Sequence, residues 1–251
     1  MTADLTGRYW LILGASSTIS RAFARQVAAR GASVILAGRD IDDLMAGVDD
    51  LTARGVNASG VVFDATDRAT HHHLADFCRQ HVPAGQLDIL LAFASMPDHV
   101  AMEQNPDLAI AQIEATYTGA VAILLTLAPL LEVARQGSII VMSSISGDRG
   151  RVKNYIYGSS KAGLTTFAAG LRARMLRANV AVTTVKPGFL DTQMTWGLPG
   201  IFLAASPDAI AAAMLKASLK RTDSFYFPKF WALIMLVIKS IPERVFKRLS
   251  I

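Results

Sequence analysis

Seven short apolar runs punctuate the chain: YWLIL at 9–13, SVILA at 33–37, ASGVVF at 58–63, ILLAF at 89–93, SIIVM at 138–142, AVTTV at 181–185 and SFYF at 224–227. Between them lie longer stretches whose apolar residues recur with helical spacing. Runs that stay apolar at consecutive positions suit strands covered on both faces, as in a parallel sheet with helical crossovers. The pattern predicts a doubly wound α/β fold of about seven parallel strands with helices on both faces. No repeat, low-complexity tract or long Pro/Gly linker divides the chain, so one domain is expected. Residues 1–222 are its main body, and 223–251 its last strand and a basic amphipathic helical tail.

Composition narrows the classes of function. With 251 residues, 52% hydrophobic and 18% charged, the chain can bury a large single core and is not a disordered one. A net charge of +5 suits an anionic ligand, a nucleic acid or an anionic membrane surface. No nucleic-acid motif or aromatic-interleaved basic stripe accompanies it, so nucleic acid is not an expected partner. The single cysteine, Cys78, excludes an internal disulfide and any cysteine-rich metal site. The N-terminal residues lack a basic segment followed by an apolar one, so no secretory signal is read and the cytoplasm is the expected compartment. His71, His72 and His73 are consecutive and point in different directions on a helix, so a solvated helix start is expected there and no metal site.

Parallel α/β sheets bind ligands beyond the carboxyl ends of their strands, and the first strand-to-helix turn often receives a pyrophosphate on the helix N-terminus. Here that turn is Gly14 to Ser20, GASSTIS, which lacks the G-x-G-x-x-G pattern and reads equally as a plain turn. The second strand ends in Gly38-Arg39, without an acidic residue to bond a ribose 2′-hydroxyl. Arg39 is either a guanidinium for a 2′-phosphate or a solvated surface charge. Further on, Tyr157 and Lys161 are four apart and share a helix face. An ammonium beside a phenol is expected to lower its pKa from about 10 towards a value useful for proton transfer. The strand SIIVM precedes them and ends in a serine pair, from which Ser144 can reach the same cleft.

With SSISGDRGRVKNYIYGSSK, KPGFLDT and VVFDATD in order, the chain resembles the short-chain dehydrogenase/reductase family across nearly its whole length. The resemblance implies a Rossmann-like domain, a nicotinamide dinucleotide cofactor and a carbonyl substrate. Tyr157 would be the proton donor, Lys161 the holder of the nicotinamide ribose and Ser144 the group that orients the carbonyl oxygen. It implies cofactor contacts at Gly14, Ser16, Ser17, Thr18, Ile19, Asp64, Ala65, Ala94, Pro187, Gly188, Leu190 and Thr192, with Arg39 favouring NADP(H) over NAD(H). A homo-oligomer is a family expectation. The chain departs from the family where Thr18 and Ser20 replace two loop glycines, where Ala92-Phe93-Ala94-Ser95 replaces Asn-Asn-Ala-Gly, and where Thr116 replaces the asparagine that links the lysine to a water chain. A dinucleotide site with hydroxyls from Ser16, Ser17 and Thr18 around a less open loop is expected, with Ser20 small enough to keep the helix packed.

A narrower similarity joins the Tyr157 segment to FYFPKFWALIMLVIKSIPERVFKRLSI at the C-terminus. It is to the reductases that complete epimerisation of decaprenylphosphoryl-ribose, returning hydride to a 2-keto-pentose on a polyprenyl phosphate after a flavin-dependent oxidase has acted. The apolar run Phe230 to Ile238 is too short to span a bilayer, which needs about twenty residues. Arg244, Lys247 and Arg248 alternate with Val245, Phe246 and Leu249, which suits peripheral contact with the inner face of the cytoplasmic membrane, a pocket cap or a dimer contact. Arg149, Arg151 and Lys153 are either contacts for a substrate phosphate or solvated loop cations. Reduction of small soluble ketones or 3-oxoacyl thioesters, and non-catalytic dinucleotide binding, remain as alternatives.

Overall fold

The computed structural model describes residues 3–193 and 203–249. Each apolar run forms a strand: β1 Tyr9–Leu13, β2 Ser33–Gly38, β3 Ala58–Val62, β4 Leu87–Leu91, β5 Ser138–Met142, β6 Ala181–Pro187 and β7 Ser224–Phe227. They make one parallel sheet in the order β3-β2-β1-β4-β5-β6-β7. Strand order reverses between β1 and β4, which opens the ligand crevice of such sheets beyond their carboxyl ends.

β4 begins two residues before the apolar run because the polar Asp88 enters the strand with its partners supplied. Its carboxylate accepts from Arg8 Nε at 2.8 Å and from the Ser138 amide and hydroxyl, each at 2.8 Å. Burial raises the Asp88 pKa, and the Arg8 charge opposes that rise.

Side-chain alternation divides the strands between two cores. Leu11 and Leu13, Ile89 and Leu91, and Ile139 and Val141 face the helices α3 Arg68–His81, α6 Gly119–Ala134 and α7 Tyr155–Leu176. Trp10, Ile12, Leu90 and Ile140 face α1 Thr18–Ala28, α2 Ile41–Ala53 and α8 Pro207–Leu219. Two shorter helices, α4 His99–Gln104 and α5 Pro106–Ile113, lead through a π turn at Glu114–Thr118 into α6. The stretch Pro106–Ala134 is long and apolar enough to cross a membrane. Its apolar side is nonetheless used inside the fold, where Ala120, Ile123, Leu124, Leu127, Ala128 and Leu131 are buried against the sheet.

The tail folds as α9 Trp231–Ser240 and α10 Glu243–Phe246. Trp231 and Met235, one helical turn apart, join Ile145 in a small third core, with Phe189, Tyr226, Ile234 and Ile238 packed on it. Leu233, Leu236 and Val237 on α9, and Val245 and Leu249 beyond it, are exposed. One expectation fails in α3: His71 is not solvated but buried, its Nε2 3.0 Å from the Asp64 carbonyl and its ring beside Phe63. It falls on the inner face of the helix with Leu74 and Ala75, while His72 and His73 turn outward.

Candidate active site

β5 ends at Met142 and passes through Ser143 and Ser144 into a short 3-10 turn, Ile145–Gly147, against which the first turns of α7 pack. Tyr157, Lys161 and Ser144 are all buried there. Ser144 hydrogen bonds to Tyr157, and the Lys161 ammonium lies 5.8 Å from the centre of the Tyr157 ring. Lys161 Nζ donates to the Met142 carbonyl at 2.9 Å. Ser143 fastens helix to strand, its hydroxyl donating to the Lys161 carbonyl at 3.0 Å and lying 2.6 Å from Thr165 Oγ1. Electrostatically, the expectation that the ammonium would lower the phenol pKa is not met. Burial raises Tyr157 well above its ordinary value, against the hydrogen bond from Ser144, and burial brings Lys161 down to about 7. Removal from water is the largest cause of both shifts.

The turn after β1 explains how a loop can lose two glycines and keep its shape. Gly14 is the residue that cannot change: its φ is +87°, and a Cβ there would meet Phe93 Cβ at 2.8 Å. Thr18 is already the first residue of α1, with its side chain exposed, so it needs no glycine backbone. Ser20 is fully buried against the sheet. Ser17 is the N-cap, its Oγ accepting from the Ser20 amide at 3.1 Å and donating to Ser20 Oγ at 2.9 Å. Its hydroxyl is therefore committed to the loop itself, which corrects the expectation that Ser17 adds a donor for the dinucleotide, while Ser16 and Thr18 are exposed and Ile19 is buried.

The neighbouring strand ends bring up the rest. Arg39 is exposed just beyond β2, while the next residue, Asp40, spends its carboxylate capping α2. After β3, the Thr66 amide, 2.8 Å from Asp64 Oδ1, holds the Asp64 carboxyl below its ordinary range, with the Thr66 hydroxyl and the Arg39 charge acting in the same sense. Ala65 is half-buried against Gly119 at the start of α6, and Ala94 is half-buried after β4. At the end of β6, Pro187 and Leu190 are buried and Thr192 is half-buried. A Cβ on Gly188 would collide with the indole of Trp231, so the tail lies directly on this turn.

Residues 8–199 match the family model for short chain dehydrogenases. The chain belongs to the short-chain dehydrogenase family. It is 35% identical over 243 residues to an uncharacterized oxidoreductase of Mycobacterium tuberculosis, covering 95% of this chain and 96% of that one. It is 30% identical over 196 residues to the 3-oxoacyl-(acyl-carrier-protein) reductase of Escherichia coli, covering 78% of each. The L-sorbose reductase of Gluconobacter frateurii, solved with NADPH and L-sorbose, has the same fold, with a TM-score of 0.81 at 21% identity over 91% of this chain and 98% of that one.

This short-chain dehydrogenase replaces the missing family asparagines with a buried network that spacing alone did not reveal. Thr116, in the π turn, is fully buried. Its Oγ1 accepts from the Ser95 amide at 2.9 Å and lies 3.2 Å from the Ser95 carbonyl, tying down the loop after β4. Gln112, one turn earlier and buried, donates from Nε2 to the Ser95 carbonyl at 3.0 Å and to Thr116 Oγ1 at 3.1 Å. Its Oε1 accepts from Ser160 on α7 at 3.1 Å. The available signal was a polar residue four before Thr116 in the otherwise apolar LAIAQI.

The loop cations divide. Arg149, expected as a possible phosphate contact, is used by the tail: Nη1 donates to the Ile238 and Ile241 carbonyls at 2.5 and 2.6 Å, Nη2 meets Glu243 at 2.9 Å, and the guanidinium lies 3.7 Å from the centre of the Phe246 ring. The end of α9 exposes orphan carbonyls that attract such a cation. Lys153 is exposed, and Arg151 is turned inward beside Ser146.

Proposed function

We propose that this short-chain dehydrogenase is an NADPH-dependent carbonyl reductase. The reading rests on the gathering of Ser144, Tyr157 and Lys161 in one buried cluster at the end of β5. The turn at Gly14, which is held against Phe93 and leads into α1, and the exposed guanidinium of Arg39 at the neighbouring strand end suit a dinucleotide bearing a 2′-phosphate. Ser16, Thr18 and the amides at the start of α1 would take its pyrophosphate, with Ser17 and Ile19 shaping the loop; Asp64, Ala65 and Ala94 would border the adenosine half, and Pro187, Gly188, Leu190 and Thr192 the nicotinamide. When bound, NADPH would supply the hydride that the carbonyl carbon accepts. As the carbonyl π pair moves to oxygen, Tyr157 donates its phenolic proton there and Ser144 holds that oxygen by a hydrogen bond. Lys161, whose pKa burial brings down to about 7, is protonated below that pH and would anchor the ribose. Thr116 acts by fixing the loop after β4.

The substrate that fits the whole chain best is a 2-keto-pentose on a polyprenyl phosphate, made by a flavin-dependent oxidase and used in cell-envelope polysaccharide synthesis. Support comes from the tail, where exposed Leu233, Leu236 and Val237 stand among Lys229, Lys239, Arg244, Lys247 and Arg248. An apolar face rimmed by cations suits the cytoplasmic surface of an anionic membrane and a lipid-linked substrate. The same exposed face also suits assembly into a homo-oligomer. A second reading, reduction of soluble ketones or 3-oxoacyl thioesters, is favoured by the likeness to the Escherichia coli 3-oxoacyl reductase. Turnover of the oxidised polyprenyl-phosphoryl pentose, compared with a panel of soluble ketones, separates the two. The Tyr157→Phe variant should lose at least a hundredfold in kcat while still binding NADPH by fluorescence titration; undiminished turnover removes the proposed role.

A further inference from the structure

Arg151 is a guanidinium turned into the protein that makes no ion pair among the described residues, although the charge of Asp148 acts on it. Its Nη2 donates to Ser146 Oγ at 2.8 Å, and Asn154 Nδ2 donates to the same oxygen at 3.2 Å. Arg151 Nε and Asn154 Oδ1 are buried with no hydrogen-bond partner among the described residues. The acids nearby are already engaged. Asp148 takes Lys186 Nζ at 2.6 Å and the Tyr226 hydroxyl at 2.5 Å, Glu243 takes Arg149, and Glu103 takes the Tyr155 hydroxyl at 2.9 Å. Residues 194–202 contain no aspartate or glutamate. Burial depresses the basicity of Arg151 and the Asp148 charge opposes that fall in part, the net direction expected of a charge removed from water without full compensation.

The location gives this charge a use. Ser146 is two residues beyond Ser144, and Asn154 is three before Tyr157, so the cluster lines the same turn as the proposed proton donor. We propose that Arg151, with Ser146 and Asn154, is a recognition subsite for a negatively charged group, a phosphate ester or a carboxylate, carried by the carbonyl substrate. The guanidinium edge that Ser146 leaves free pairs with the anion, and Asn154 holds Ser146 in place beside it. This inference rests on Tyr157 being the proton donor to a carbonyl.

The test compares matched ketones, dihydroxyacetone phosphate against dihydroxyacetone and acetoacetate against its methyl ester, by the rate of NADPH oxidation. The wild type should favour the charged member of one pair, which identifies the anion as phosphate or carboxylate. Arg151→Gln should lower that charged-to-neutral ratio of kcat/KM by about tenfold or more, and Arg151→Lys should recover part of it. A ratio unchanged in Arg151→Gln, or an equal loss with both members of a pair, overturns the subsite. Thermal stabilisation by inorganic phosphate in the presence of NADPH supplies a readout independent of turnover. Arg151-dependent stabilisation in a protein that reduces none of the four ketones supports the subsite and counts against the reductase reading. Turnover of the neutral ketones with no charge preference and no phosphate effect does the reverse.

Discussion

Lys161 combines a charged group with a dry environment. Among the described residues its ammonium has one acceptor, the Met142 carbonyl, and burial lowers its pKa from 10.5 to about 7. Between those two values the unfolded chain binds more protons at this position than the folded one, so stability rises with pH across that window and levels off above it. Replacing Lys161 by Met should flatten that rise, as read from urea midpoints at pH 7, 8 and 9; an unchanged slope would mean that the ammonium is better solvated than its burial implies. The pairing of Tyr157 with Lys161 was legible because helical spacing puts residues four apart on one face. The direction of the tyrosine shift was not, because it depends on how much water the fold removes. The same limit hid His71, whose solvation is set by the face of α3 that meets the sheet.

Strands were read nearly to the residue, since a parallel sheet covered on both sides demands uninterrupted apolar runs. The main slip, at the start of β4, occurred where Asp88 is a polar residue made compatible with a strand by Arg8 and Ser138, partners 80 and 50 positions away. The π turn and its network were equally invisible to local pattern. Gln112 links three elements, the loop after β4, the π turn and α7. Substituting Gln112 with Leu should cost about 1–3 kcal/mol, because the Ser160 hydroxyl is left buried without its acceptor. Adding Ser160→Ala should recover part of that loss, since the orphaned group is then gone. Denaturant midpoints for the two single variants and the double variant check this, and simple additivity would show that the two side chains are not coupled.

Over the whole molecule, the least legible feature was how the basic and apolar tail attaches. Its amphipathic pattern was plain, but Arg149, 89 to 94 positions earlier, was not recognisable as the residue that receives it. Arg149 draws together the end of α9, α10 and the segment immediately after Ser144. Arg149→Ala should increase hydrogen exchange in peptides covering 231–249 well above that in the strands, with the sheet core protected as before. Equal exchange in the tail of both proteins would show that Trp231 and Met235 hold it unaided.

The contact between Trp231 and Gly188 also has an order in time. Trp231 follows β7 in the chain, so the turn after β6 receives its indole cover only after all seven strands have been synthesised. A truncation before Trp231 would therefore remove the roof over that turn, not a dispensable extension.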